Sequence, residues 1–361
     1  MKTLLLGDFC VMEENMNLLR EKNLELLFHN TLPIFAENDV TFVNLECAIT
    51  ESVNAIKKCG PNLKVCREAA DVLKSIGTTL CGLSNNHIFD FGKEGARDTI
   101  KALDEVGIPY TGFGENYDDS RKNYIVEKNG ERIAFVAVCE HEFSYALENR
   151  MGSRPFDPFE TMADIRRAKD AADRVIVLYH GGKELCQYPS PRLIGACREM
   201  VHNGADVILC QHTHCIGCYE NYEGAHILYG QGNFHFVTDN TSDLWCQSLM
   251  VRYDTKANAI EFIPTVNTDG GIALAGDDVK ERILQEFADR NASLLDGTWR
   301  DGWHAFCESV KDGYMAAAKQ DKTMDPQTRA DTMFAHYLDC EAHTDVWREL
   351  YKTTNHWNEI D

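Results

Sequence analysis

Along residues 1–275 the chain repeats one order: a short apolar run, a polar turn, then a stretch with helical spacing. Seven apolar runs read as strands, at residues 4–6, 41–45, 79–83, 132–139, 174–179, 206–210 and 225–229. Helical patterns lie between them, including residues 95–106, 164–172 and 191–203. Strands alternating with helices argue for a layered α/β fold. From about Asp277 the strand signals stop, and helical stretches follow at 279–291, 299–319, 326–342 and 344–351. Four of the five Trp fall there (Trp299, Trp303, Trp347 and Trp357), which marks this part as a separate unit. The expected organisation is a core over residues 1–275 and a helical C-terminal appendage over 276–361. Its aromatic content suits a cover over the site, a homo-oligomer interface, or plain packing on the core.

The polar residues that end the apolar runs carry the chemistry. Asp8, Glu46, Asn86, His87, His180, His212 and His214 each follow the C-terminal end of a strand. In open α/β sheets the ligand crevice lies outside those ends, so scattered segments converge there if the strands are neighbours. Taken singly, Asp8 reads as a turn residue, Asn85-Asn86-His87 as a turn or helix cap, and His180 as a loop histidine before Gly-Gly. Their coincidence at five successive strand ends is what points to a site. Carboxylate, amide and imidazole donors together suit one or two divalent ions of the Mn, Fe or Zn kind. Such ions polarise a phosphoryl or acyl oxygen, and a nearby His protonates a leaving group.

Composition narrows the class. Hydrophobic residues make up 44% and charged residues 26%, which is soluble and globular. A net charge of −21 repels phosphate backbones, so no nucleic-acid partner is expected. The basic clusters Lys57-Lys58 and Arg166-Arg167-Ala168-Lys169 read as solvated faces. No apolar run approaches the roughly 7–15 residues of a signal peptide or the roughly 20 of a spanning helix. The expectation is therefore a cytoplasmic chain without membrane attachment, its 14 Cys reduced. Cys215 and Cys218 have zinc-like spacing but no second pair, and Cys186 near His180 has no nucleophile motif around it.

The strand-end residues also carry a resemblance. Gly7-Asp8, Asn44-Leu45-Glu46, Asn85-Asn86-His87 with Asp90 and Gly92, His180-Gly181-Gly182 with Glu184, Gly204-Ala205-Asp206, His212-Thr213-His214 and Gly232-Asn233-Phe234 occur in the order seen in the CapA (poly-γ-glutamate capsule biosynthesis) family. That family resembles calcineurin-like metallophosphoesterases. The resemblance implies their layered α/β sandwich, here with a helical C-terminal appendage. It also implies a metal site in which Asp8 and His214 hold one ion, Asn86, His180 and His212 hold a second, and Glu46 bridges both. His87 becomes the general acid, oriented by Asp90. Two positions depart from the phosphoesterase pattern: Cys10 stands where a ligand His is usual, and the bridging Asp is Glu46. Cys10 is then a thiolate ligand or, in the preferred reading, a small apolar filler. The function implied is metal-dependent hydrolysis of a phosphoester or of a small-molecule, polyanionic or γ-glutamyl substrate. The alternative is a non-catalytic metal-binding accessory in polymer assembly.

Overall fold

A computed structural model describes residues 1–319 and 330–352. The chain first lays down β1 (Lys2–Phe9), β2 (Val40–Leu45), β3 (Leu80–Gly82) and β4 (Tyr110–Thr111), all parallel. It then builds a second sheet from β5 (Tyr124–Lys128), β6 (Glu131–Cys139), β7 (Arg174–His180), β8 (Val207–Gln211), β9 (Tyr219–Tyr222) and β10 (Ala225–Leu228), in the order β9-β10-β8-β7-β6-β5. Finally it returns to the first sheet with β11 (Asn233–His235), β12 (Gln247–Asp254), β13 (Ala259–Asn267) and β14 (Ile272–Leu274). The completed first sheet runs β14-β13-β12-β1-β2-β3-β4, with β11 pairing β1 beyond the end of β12.

Each of the seven apolar runs coincides with a strand, three of them overrunning it by one residue at one end or both. β1 is buried from Thr3 to Phe9, because both faces of a central strand are covered and its sequence need not alternate. The hairpin β12–β13 has no counterpart among the seven runs. β13 is an edge-side strand, half exposed over most of its length, so its apolar signal is diluted.

The two sheets face each other across an inner core that includes Leu5, Phe42 and Leu80 on one side and Phe135, Ile176 and Leu209 on the other. The Phe42 and Phe135 rings stack there with centroids 5.9 Å apart. Gly82 makes room for this contact, since a Cβ at that position would lie 2.5 Å from the Phe42 ring. Helices cover the outer faces. On the first sheet lie α1 (Glu68–Ser75) and α2 (Gly92–Val106). α2 buries Ala96, Thr99, Ala102 and Leu103, a stripe of helical period. It stops at Gly107, whose φ of +67° only glycine adopts freely.

On the second sheet lie α3 (Pro158–Ala171) and α4 (Pro191–His202). α3 starts earlier than its apolar periodicity suggests. Asp157 accepts from the Phe159 and Glu160 amides, and Pro158 fits the first turn.

Among the described residues four helices follow the sheets: α5 (Asp277–Asp296), α6 (Trp299–Ala318), α7 (Ala330–Asp339) and α8 (Glu341–Tyr351). Trp299, Trp303, Tyr314, Val346 and Leu350 are buried in the outer core of the second sheet. These aromatic side chains are thus used in the chain's own packing. The break between the last two helices falls at Cys340, where the backbone is extended, and not near residue 343. Residues 326–329 of the expected helix, and Trp357, lie outside the described residues. Among the described residues no helix is long and apolar enough to cross a membrane. The architecture is the layered α/β sandwich with C-terminal helices that the sequence implies.

Candidate metal centre at the strand ends

The ends of β1, β2 and β3 in one sheet and of β7 and β8 in the other meet at the top of the sandwich. Asp8 reaches this point through a slip in β1. Leu6 pairs Val43, yet Asp8 pairs Asn44, so Gly7 is an extra residue in the ladder. Leu4, Leu6 and Phe9 pack in the outer core, which strict alternation forbids. The slip lets Asp8 leave that face. A Cβ on Gly7 would lie 2.5 Å from the Gly232 carbonyl, so the slip requires glycine.

Asp8 is fully buried. It accepts from Asn44 Nδ2 at 2.7 Å and from the His212 amide at 3.0 Å. Glu46 Oε1 lies 3.2 Å from His180 Nε2 and 4.0 Å from His214 Nε2. His180 Nε2 is 2.8 Å from Asn86 Oδ1. His214 Nδ1 is 2.8 Å from Asn233 Oδ1. Distance alone gives two donor sets, Asp8/Glu46/His180 and Glu46/His212/His214, which share Glu46. This grouping puts His180 beside Asp8, whereas the family resemblance pairs His214 with Asp8. Asp8 and His214 are also near each other, 3.7 Å apart.

His212 and His214 both have left-handed backbones, φ +82° and +54°. That conformation costs a non-glycine residue roughly 1–2 kcal/mol, and the loop accepts it to aim both rings inward.

The fit of a cation is testable on orphaned atoms. Both carboxylate oxygens of Glu46, and Nδ1 of His212, are buried without a hydrogen-bond partner. A buried anion left unpaired is costly, and a divalent ion removes that cost. Burial drives His180 down to about 3 and His212 well below the ordinary imidazole value, so both are neutral and have a lone pair to offer. Burial also opposes the charge of His214, but Glu46, Asp8 and Glu184 together raise it. In the metal-free chain His214 therefore supplies part of the missing positive charge.

Burial, then repulsion from Glu46, pushes Asp8 from 3.8 to about 6; burial raises Glu46 as well. A carboxyl whose folded value is raised binds protons more tightly folded than unfolded. The metal-free chain is then expected to lose stability as pH rises from about 4 to about 6, by about 3 kcal/mol from Asp8. Denaturant titration in chelator, wild type against Asp8→Asn, checks this. A stability that climbs over that window in wild type contradicts it.

His87 and Asp90 stand beside this centre. Asn85 Oδ1 accepts from the His87 and Ile88 amides, so Asn85 does the turn-forming work and Asn86 is left for the site. His87 Nδ1 is 2.7 Å from Asp90 Oδ2, a contact that orients the ring. Lys58 completes the group, its Nζ 2.6 Å from Asp90 and 3.0 Å from His87 Nδ1. The expectation that Lys58 lies on a solvated face is overturned. It is 6% exposed, drawn in because Asp90 is buried and needs a countercharge. Arg166, Arg167 and Lys169 are exposed as expected.

Comparison with known proteins now bears on these residues. The family described as bacterial capsule synthesis protein PGA_cap matches residues 2–238. The chain belongs to this capsule-synthesis family. The match takes in all eight proposed site residues and ends before α5. The capsule biosynthesis protein CapA of Bacillus anthracis is 28% identical over 271 residues, covering 73% of this chain and 66% of that protein. The PGA biosynthesis protein CapA of Bacillus subtilis is 32% identical over 245 residues, covering 66% of this chain and 63% of that protein. The chain thus spans less than two thirds of either relative. A 5'-nucleotidase precursor from Thermus thermophilus superposes with a TM-score of 0.43 at 13% identity, over 89% of this chain and 60% of that one.

β1 ends at Phe9, so alternation no longer governs Cys10. Its side chain is buried in the outer apolar core together with Cys47, and it belongs to no donor cluster among the described residues. The apolar-filler reading fits. Cys186 and Cys218 pack in the core of the second sheet. All 14 Cys are unpaired.

Two residues escaped the sequence pattern. Glu140 and His141 follow the apolar run of β6 just as the other site residues follow theirs. Glu140, fully buried, accepts from the Gly182 amide at 2.8 Å and from Arg192 at 2.5 Å. It thereby holds the His180-Gly181-Gly182 turn in place. Arg192 also binds Asp345 at 2.8 Å, tying α8 to the same network. The His141 ring lies 4.1 Å from that of His212.

Proposed function

We propose that the chain is a metal-dependent hydrolase of capsule or polyglutamate metabolism, acting on a phosphoester or on a polyanionic γ-glutamyl substrate. The observation that carries this is Glu46, buried, with both oxygens unpaired and shared by two donor sets. Asp8, Glu46, Asn86, His180, His212 and His214 are the residues that would hold one or two divalent ions. Such ions supply Lewis acidity to the reacting oxygen. The chain's own part is then clear. Glu140 fixes the turn that positions His180. Asp90, paired with Lys58, orients the His87 ring, and His87 protonates the leaving group. The unpaired state of all 14 Cys supports action in a reducing cytoplasm.

The test is hydrolysis of a chromogenic phosphodiester and of poly-γ-glutamate by the metal-loaded chain, each with and without chelator. Chelator-sensitive turnover of either supports the proposal. The accessory reading has one observation on its side: none of the eight side-chain positions is more than 7% exposed. Tight metal binding with no turnover of either substrate favours that reading.

A further inference from the structure

We infer that His141, His336 and Cys340 form a separate site for a thiophilic divalent cation such as Zn²⁺, one that pins the junction of α7 and α8 to the end of β6. One donor atom from each residue lies within 4.8 Å of the others, and all three residues are buried. None of the three belongs to the donor sets around Glu46. Cys340 directly follows α7, and its amide donates to the His336 carbonyl at 2.9 Å, so the last helical turn still holds the two residues together. His141 meets them from the strand end.

The surroundings have the features of a metal site. Glu142 holds His336 Nδ1 with oxygens at 2.9 and 3.1 Å. A carboxylate behind an imidazole fixes its orientation and leaves Nε2 for the ion. The Phe143 ring, 4.6 Å from His336, and the His343 ring, 4.6 Å from it on another side, shield the group from water. Two imidazoles and one thiolate match the preference of zinc for mixed nitrogen and sulfur donors, with a fourth position left for water or another ligand. The His141 ring also contacts His212, so the ion would hold the C-terminal helices directly beside the strand-end centre. The family match ends at residue 238, before α7, so two of the three donors lie beyond the region this chain shares with that family description.

The competing account is plain packing of neutral rings around a buried thiol. Co²⁺ distinguishes the two, because only a thiolate ligand gives a sulfur-to-cobalt charge-transfer band. The full chain, stripped of metal, is titrated with Co²⁺ alone. Expected is a near-ultraviolet band that saturates with about one equivalent, is lost in Cys340→Ser and His336→Gln, and is retained in Glu46→Ala. The last variant separates this site from the strand-end centre. Should Cys340→Ser fail to fold, Glu142→Gln keeps all three donors and is expected to weaken Zn²⁺ binding by about 10–100-fold. No band in the wild type, a band undiminished in Cys340→Ser, or unchanged Zn²⁺ affinity in Glu142→Gln would overturn the inference.

Discussion

Glu46→Ala is expected to strip the strand-end centre of about nine-tenths or more of its divalent metal after dialysis. The reason is its shared position. Every other donor serves one set, whereas the Glu46 carboxylate lies in both. Its negative charge would partly neutralise both cations, and among the described residues neither of its oxygens has a hydrogen-bond partner. His212→Ala removes a donor from one set only and should cost less. Replacing Glu46 with Gln has an opposite effect on the metal-free chain. Burial raises the Glu46 carboxyl, so replacing it with Gln should leave the metal-free protein at least as stable as wild type. Elemental analysis and denaturation of the stripped variants measure both. Unchanged metal at the strand ends in Glu46→Ala and His212→Ala would remove the basis for the centre.

The contrast between His87→Ala and Lys58→Ala separates chemistry from support. Removing His87 leaves the Lys58–Asp90 pair whole, at 2.6 Å. Metal content and melting temperature should stay near wild type, while turnover falls by about 10²–10⁴-fold. Removing Lys58 leaves Asp90 buried without its countercharge, and breaking such a pair costs about 3–5 kcal/mol. Lys58→Ala should therefore lower both stability and turnover. Lys58→Ala with Asp90→Asn should recover much of the stability without the activity. Equal turnover in wild type and His87→Ala would reduce His87 to a turn residue.

The strand-end residues were legible because each follows an apolar run, and runs that end in Asp, Glu, Asn and His in one order are hard to explain otherwise. Glu140 and His141 obey the same rule after β6, so the signal was present in the sequence and extends one strand further. Lys58 was not legible in that way. It sits between elements, and its burial depends on Asp90, a partner that the chain supplies only after two further elements have formed. The slip at Gly7 was equally hidden. A glycine before an aspartate suggests a turn, and only the simultaneous packing of Leu6 and Phe9 on one face reveals the extra residue. The fold class followed from the alternation of strands and helices. The hairpin β12–β13 was missed in part because its edge-side strand β13 is half exposed and carries a weaker apolar signal.

The path of the chain through its two sheets has a consequence for how the protein is made. β1 is synthesised well before two of its neighbours, β11 and β12. Asp8 accepts from the His212 amide, 204 residues away in sequence. During synthesis the first strand must therefore wait, with an edge unpaired, while the whole second sheet is produced. Pairings between such distant segments form slowly because the loop must close first. The candidate metal centre draws its donor side chains from both sides of that wait. A ribosome-bound chain that has emerged only as far as β7 holds Asp8, Glu46, Asn86 and His180 but neither His212 nor His214, so a full donor set must await β8 and the loop that follows it.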